Sequence, residues 1–107
     1  MKRLLFALIL LPFFVEANGT YIVKNAVITS IANTSGNSEK FTIWVEGGSG
    51  SCANSIIVFP RTAASSDEIY SRAYSAALTA FTSGKKIWVH NYEGDQCNNA
   101  SYIRLFN

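Results

Sequence analysis

Residues 74–92 read YSAALTAFTSGKKIWVHNY, and the change of period inside this stretch decides the fold. Upstream of Gly84, Tyr70, Ala73, Tyr74, Ala77, Leu78 and Phe81 recur at i, i+3, i+4 and i+7, the spacing of one buried helix face. Ser65 followed by Glu68 reads as a capping box, and Asp67 adds negative charge to the first turn. Gly84 supplies the left-handed stop. Beyond it the period drops to two, with Ile87 and Val89 on one face and Trp88, His90 and Tyr92 on the other. No other segment has a helical period, so one helix runs directly into a strand.

Working outward, every other element reads as a strand. Thr20 to Ala32 is rich in β-branched residues, and Asn25 interrupts the alternation of Tyr21, Val23, Val27 and Ile31, which predicts a bend or bulge. KFTIWVEG, residues 40–47, alternates Phe41, Ile43 and Val45 against Thr42, Trp44 and Glu46. SIIVFP at 55–60 is a short apolar strand stopped by Pro60, and SYIRLF at 101–106 is the last strand. NTSGNSE, GGSGSCANS and EGDQCNNA read as loops, the second of them flexible. The expected fold class is therefore mostly β with one helix, in the order β-β-β-α-β-β. That order suits a five-stranded OB-type barrel whose helix, between strands three and four, plugs one open end. The competing architecture is an open sheet with the helix across one face.

The amino terminus has another character. MKR, then LLFALILLPFF, then small residues at Val15 and Ala17 form the pattern of a cleaved signal peptide over residues 1–17. The apolar run is shorter than the roughly 20 residues of a spanning helix. Export to the periplasm or beyond is expected, leaving residues 18–107 as a single OB-like domain with no membrane span. Lys2, Arg3 and Glu16 leave with the signal, so the formal charge falls from +2 to +1. Without a basic stripe, nucleic acid is not an expected partner. Cys52 and Cys97 are the only cysteines, and in an exported chain they are expected to form one bridge. Closing a loop of that length is worth roughly 4 kcal/mol in the chain-entropy model.

Chemistry is sparse. His90 is the only histidine and falls in mid-strand without a nucleophile beside it in sequence. Glu93 and Asp95 lie in a turn sequence and read as solvated. GGSG lacks the lysine and helix of a phosphate loop. No metal, cofactor or enzymatic activity is expected. The informative feature is aromatic placement. Trp44 and Trp88 fall opposite the aliphatic faces of their strands, where large rings suit flat apolar ligand faces. Candidate ligand-binding residues are Trp44, Trp88, His90 and Tyr92, with Asp95 and Asn98 in the amide-rich loop that follows. Ser71, Ser75 and Thr79 form a small, uncharged outer helix face, a candidate oligomer contact.

A signal, a domain of OB order, a helix of small and aromatic residues (YSAALTAFTSGKKIWVH), then a cysteine and a final apolar strand together resemble the OB-fold binding subunits of AB-type bacterial toxins. The subtilase-cytotoxin and pertussis-like group is nearest in pattern, most specifically over Tyr70 to Phe106. The resemblance implies a non-catalytic module that binds cell-surface glycans as a homopentamer, its pore lined by the helices. No sugar-contacting residue of that group is carried over to a position of this chain. A cell-envelope interaction protein that binds protein partners through its aromatic faces is the alternative.

Overall fold

A computed structural model describes residues 19–107. The signal peptide expected over residues 1–17 lies outside the described residues. The elements are β1 (Thr20–Ala32), β2 (Lys40–Glu46), β3 (Ile56–Pro60), a short 3-10 turn (Arg61–Ala63), α1 (Asp67–Ser83), β4 (Lys86–Asn91) and β5 (Tyr102–Phe106). The expected order of three strands, one helix and two strands is observed. All strand pairs are antiparallel, in the order β3-β2-β1-β4-β5.

The ladder is open. Closure into an OB-type barrel would require the edge strands β3 and β5 to pair, and no ladder joins them. The gap is crossed by the segment before β5 instead. Val58 N–H donates to the Cys97 carbonyl at 2.8 Å, and Ala100 N–H donates to the Val58 carbonyl at 3.1 Å. The Cys52–Cys97 disulfide, with Cα atoms 5.8 Å apart, ties the β2–β3 loop to the β4–β5 loop as expected.

β1 organises the sheet because different halves of it serve different neighbours. Val27 to Ala32 pairs with β2, and Thr20 to Val27 pairs with β4. Between them Asn25 adopts φ 61°, and the register with β4 shifts between Val23 and Ala26, the bulge the sequence predicts. Together with a second shift, between Tyr21 and Val23, the slip resets which side chains point inward. Ile22, Val23, Ala26 and Ile28 are buried, whereas Tyr21 turns outward. The glycine-rich segment after β2 is not a loose loop. Lys24 and Ser49 exchange backbone hydrogen bonds at 2.8 and 3.0 Å, and Cys52 N–H donates to the Ile22 carbonyl. Gly48 and Gly50 permit this approach. A Cβ at Gly50, where φ is +116°, would lie 2.5 Å from the Ile22 carbonyl oxygen.

The helix starts one residue later than the sequence suggests. Ser66 is the N-cap, its hydroxyl accepting from Ile69 N–H at 3.2 Å, so the Ser65–Glu68 box does not form. Asp67 instead pairs with Arg61. Gly84 ends the helix in the left-handed region at φ 71°, its N–H bonded to the Ala80 carbonyl. The buried stripe is Ala73, Ala77 and Ala80, with Tyr70 and Tyr74 packed at its side. Leu78 and Phe81, expected in the core, are 38% and 40% exposed. The helix lies on β1 and β5, and the small alanines let its backbone come close, leaving the larger flanking side chains in solvent.

Candidate functional site

The outward face of β4 and its neighbours carries a strip of aromatic rings. Cross-strand register builds it: Tyr21 pairs with His90, His90 with Tyr102, Trp88 with Arg104, and Lys86 with Phe106. Tyr21 meets Trp88 and His90 edge-on at 5.0 and 4.9 Å. Tyr92 meets His90 at 4.6 Å, and Trp88 tilts against Phe106 at 4.9 Å. The Trp88 indole N–H donates to Asn25 Oδ1 at 3.1 Å, so the left-handed Asn25 of the bulge also sets the indole's orientation. Lys24 Nζ stands 4.7 Å from the Trp88 ring centre, and the Arg104 guanidinium 5.5 Å from it. Cations over an indole face are attracted by the ring quadrupole.

His90 sits among three tyrosines, Tyr21, Tyr92 and Tyr102. Its Nδ1 is buried without a hydrogen-bond partner. Burial pushes the imidazole below its usual range, which favours the neutral ring. The Tyr102 phenol is raised, first by the neighbouring Tyr21 hydroxyl and then by burial. Among the described residues no hydroxyl or carboxylate hydrogen-bonds the His90 ring, so it lacks the partner that would orient a general base. No group of three histidine, cysteine or acidic side chains among the described residues could hold a metal ion.

The strip runs into a cleft of about 400 Å³ lined by Ala63, Ala64, Ser65, Ile69, Tyr92, Ser101 and Tyr102. Tyr92, 58% exposed, and Tyr102 form the wall common to cleft and strip. The loop after β4 is held by Asn91, whose side chain is fully buried. Its Nδ2 donates to the Gln96 carbonyl at 2.9 Å, and its Oδ1 accepts from Glu93 N–H at 2.8 Å. Ser51 Oγ donates to the Asp95 carbonyl across the same junction.

Of the sequence candidates, Trp88, His90 and Tyr92 come together. Trp44 is half-buried on the outward face of β2, opposite Ser30 and Ile56, on the other half of β1 and outside this strip. Asp95 and Asn98 are exposed on the loop beyond Tyr92, and none of the described side-chain bonds links them to the rings. Ser71, Ser75 and Thr79 are exposed on α1, as their pattern implies. Sequence reading missed Tyr21, Tyr102, Phe106, Lys24 and Arg104. The alternation of β5 places Tyr102, Arg104 and Phe106 on one face, so those were legible. Tyr21 was hidden by the register shift between Tyr21 and Val23.

The profile of a family of unknown function, DUF5992, matches residues 3–107. The chain belongs to this family. No curated protein and no solved structure matches it, so the toxin-subunit resemblance rests on the sequence pattern alone. No helix among the described residues is long and apolar enough to cross a membrane.

Proposed function

We propose that this DUF5992 chain is an exported, non-catalytic binding module that recognises glycans. The observation that carries the reading is the outward aromatic strip, half-buried and continuous with the cleft at Tyr92. A core would have taken these rings fully out of water. Rings held edge-on to one another, with one tyrosine projecting, suit the flat apolar side of a sugar. Hydroxyls of Ser65 and Ser101 at the cleft supply donors and acceptors for the ligand's own hydroxyls. Asp95 and Asn98 on the neighbouring loop extend that polar rim. Single contacts of this kind are weak, and a homo-oligomer, the homopentamer of the resemblance included, would raise avidity by roughly 10²- to 10⁴-fold without new contacts.

The test is a glycan array followed by titration calorimetry on the best ligand, with light scattering for mass. Tyr92→Ala and Trp88→Ala are expected to abolish binding at the strip, read from ligand-induced shifts of the His90 and Tyr102 amides, while leaving the mass unchanged. Shifts there that survive both substitutions would remove the strip from the site. The second reading, a protein-interaction module of the cell envelope, draws on the exposed Leu78 and Phe81 of α1. It is favoured if no glycan binds and Phe81→Ser abolishes a protein complex.

A further inference from the structure

Beyond the strip lies a separate groove between α1 and the entry of β2. Phe41 makes its floor. That ring is almost fully buried and stacks on Phe59 at 4.5 Å with an interplanar angle of 7°. Tyr74 stands edge-on to Phe41 at 5.1 Å and Tyr70 is tilted at 5.6 Å, so the two tyrosines form half-buried walls. Asn33, Ser71 and Ser75 complete the rim, and the groove measures about 330 Å³. Volumes near 300 Å³ are the small end of ligand sites.

We propose that this groove binds a single uncharged sugar ring, with its apolar side against the accessible parts of Tyr70 and Tyr74 and its hydroxyls on Asn33, Ser71 and Ser75. The helix hydroxyls separate into two sets. Thr82 and Ser83 turn back onto the carbonyls of Leu78 and Thr79, whereas Ser71 and Ser75 make no side-chain bond among those described. Their hydroxyls stand one helical turn apart on the same face, ready for a ligand with adjacent hydroxyls. Every lining side chain is neutral. Burial raises the Tyr70 phenol, Glu39 adds to the shift and Arg61 opposes it, so the wall stays neutral. An organic cation would gain from the rings but would leave the serine and asparagine groups unused, so the rim selects a polyol. The site does not depend on the outward strip, and the two are told apart by their reporters, because the strip contains Trp88 and the groove contains no tryptophan.

The experiment is a heteronuclear NMR titration of the isotope-labelled protein with methyl glycosides of neutral hexoses and N-acetylhexosamines. Choline and a uronic acid serve as charged probes. Saturable shifts of the Asn33, Ser71 and Ser75 amides are expected with a neutral glycoside, while the Trp88 indole signal stays in place. Ser71→Ala should weaken that binding roughly 2- to 10-fold, the loss of one neutral hydrogen bond. Ser75→Phe, which fills the groove, should remove it, and Tyr92→Ala should leave it unchanged. Equal shifts with choline, shifts confined to Trp88, or no shift with any neutral glycoside would each overturn the proposal. So would a change of mass by light scattering in Ser71→Ala, which would make this face a contact between copies. Should Ser75→Phe fail to fold, the Ser71→Ala affinity decides alone.

Discussion

Two clusters of aromatic rings occupy opposite faces of the same sheet, and they are packed on different terms. On the inner face Phe41 and Phe59 lie parallel and almost wholly buried, with Tyr70 and Tyr74 of the helix against them. On the outer face the rings from Tyr21 to Phe106 meet mostly edge-on, stay half-wet, and carry Lys24 and Arg104 over Trp88. The inner cluster excludes water except where Tyr70 and Tyr74 border the groove, and it contributes mainly to stability. Among the described residues only the Lys24 and Arg104 side chains stand over Trp88 in the outer cluster, whose rings hold one another in place with free area facing outward. Rings of similar type are thus sealed in on one face of the sheet and left open on the other, and the difference lies in what covers them.

The comparison breaks first, and most heavily, at Phe41. Phe41→Ala removes the centre of the inner cluster and is expected to cost about 3–5 kcal/mol, read by denaturant unfolding. A comparable loss from Tyr92→Ala would erase the distinction, since an exposed ring should change stability by no more than about 0.5 kcal/mol. Next comes Cys52→Ala. The bridge holds the loop that carries Asp95 and Asn98 against the fully buried Cys52, so its loss should cost about 2–5 kcal/mol. In a folded remnant of that variant, ligand binding at Tyr92 should weaken more than binding in the groove at Ser75.

Gly84 joins the two regions, ending the helix of the inner cluster and opening the strand of the outer one. Its φ of 71° has open space around a would-be Cβ, so Gly84→Val isolates backbone strain from steric clash. The expected cost is about 1–2 kcal/mol, measured as a fall in melting temperature. The smallest effect concerns pH. Burial lowers the folded-state pKa of His90, so the unfolded chain binds the proton more readily. Stability is therefore full above the unfolded value of about 6.5 and is lost as pH falls through it toward the lowered folded value. Because His90 is the only histidine, His90→Asn should flatten the dependence between about pH 5 and 7. A slope that persists in the variant would place its origin elsewhere.

Most of the architecture was legible because it is local. The period change at Gly84 fixes one helix and its exit strand, and alternation in β2 and β4 puts Trp44 and Trp88 on the outward side. Two cysteines leave one pairing within the chain. The candidate site was half legible for the same reason: Trp88, His90 and Tyr92 share one strand, and a face within a strand is a matter of counting by two. What lay beyond reach required contacts between segments far apart. Whether the sheet closes depends on the distance between β3 and β5, and the segment from Cys97 to Ala100 bridges it where a strand ladder would be needed. Which helix face is buried depends on how the helix seats on β1 and β5, where the small Ala73, Ala77 and Ala80 turn inward and Leu78 and Phe81 stay outside. Tyr21 changed sides because the register with β4 shifts between Tyr21 and Val23, two residues of β1 standing against one of β4, and period-two reading cannot see past such a slip. Local periodicity follows from backbone geometry alone, whereas closure, helix rotation and strand register are settled by packing, a property of the whole chain.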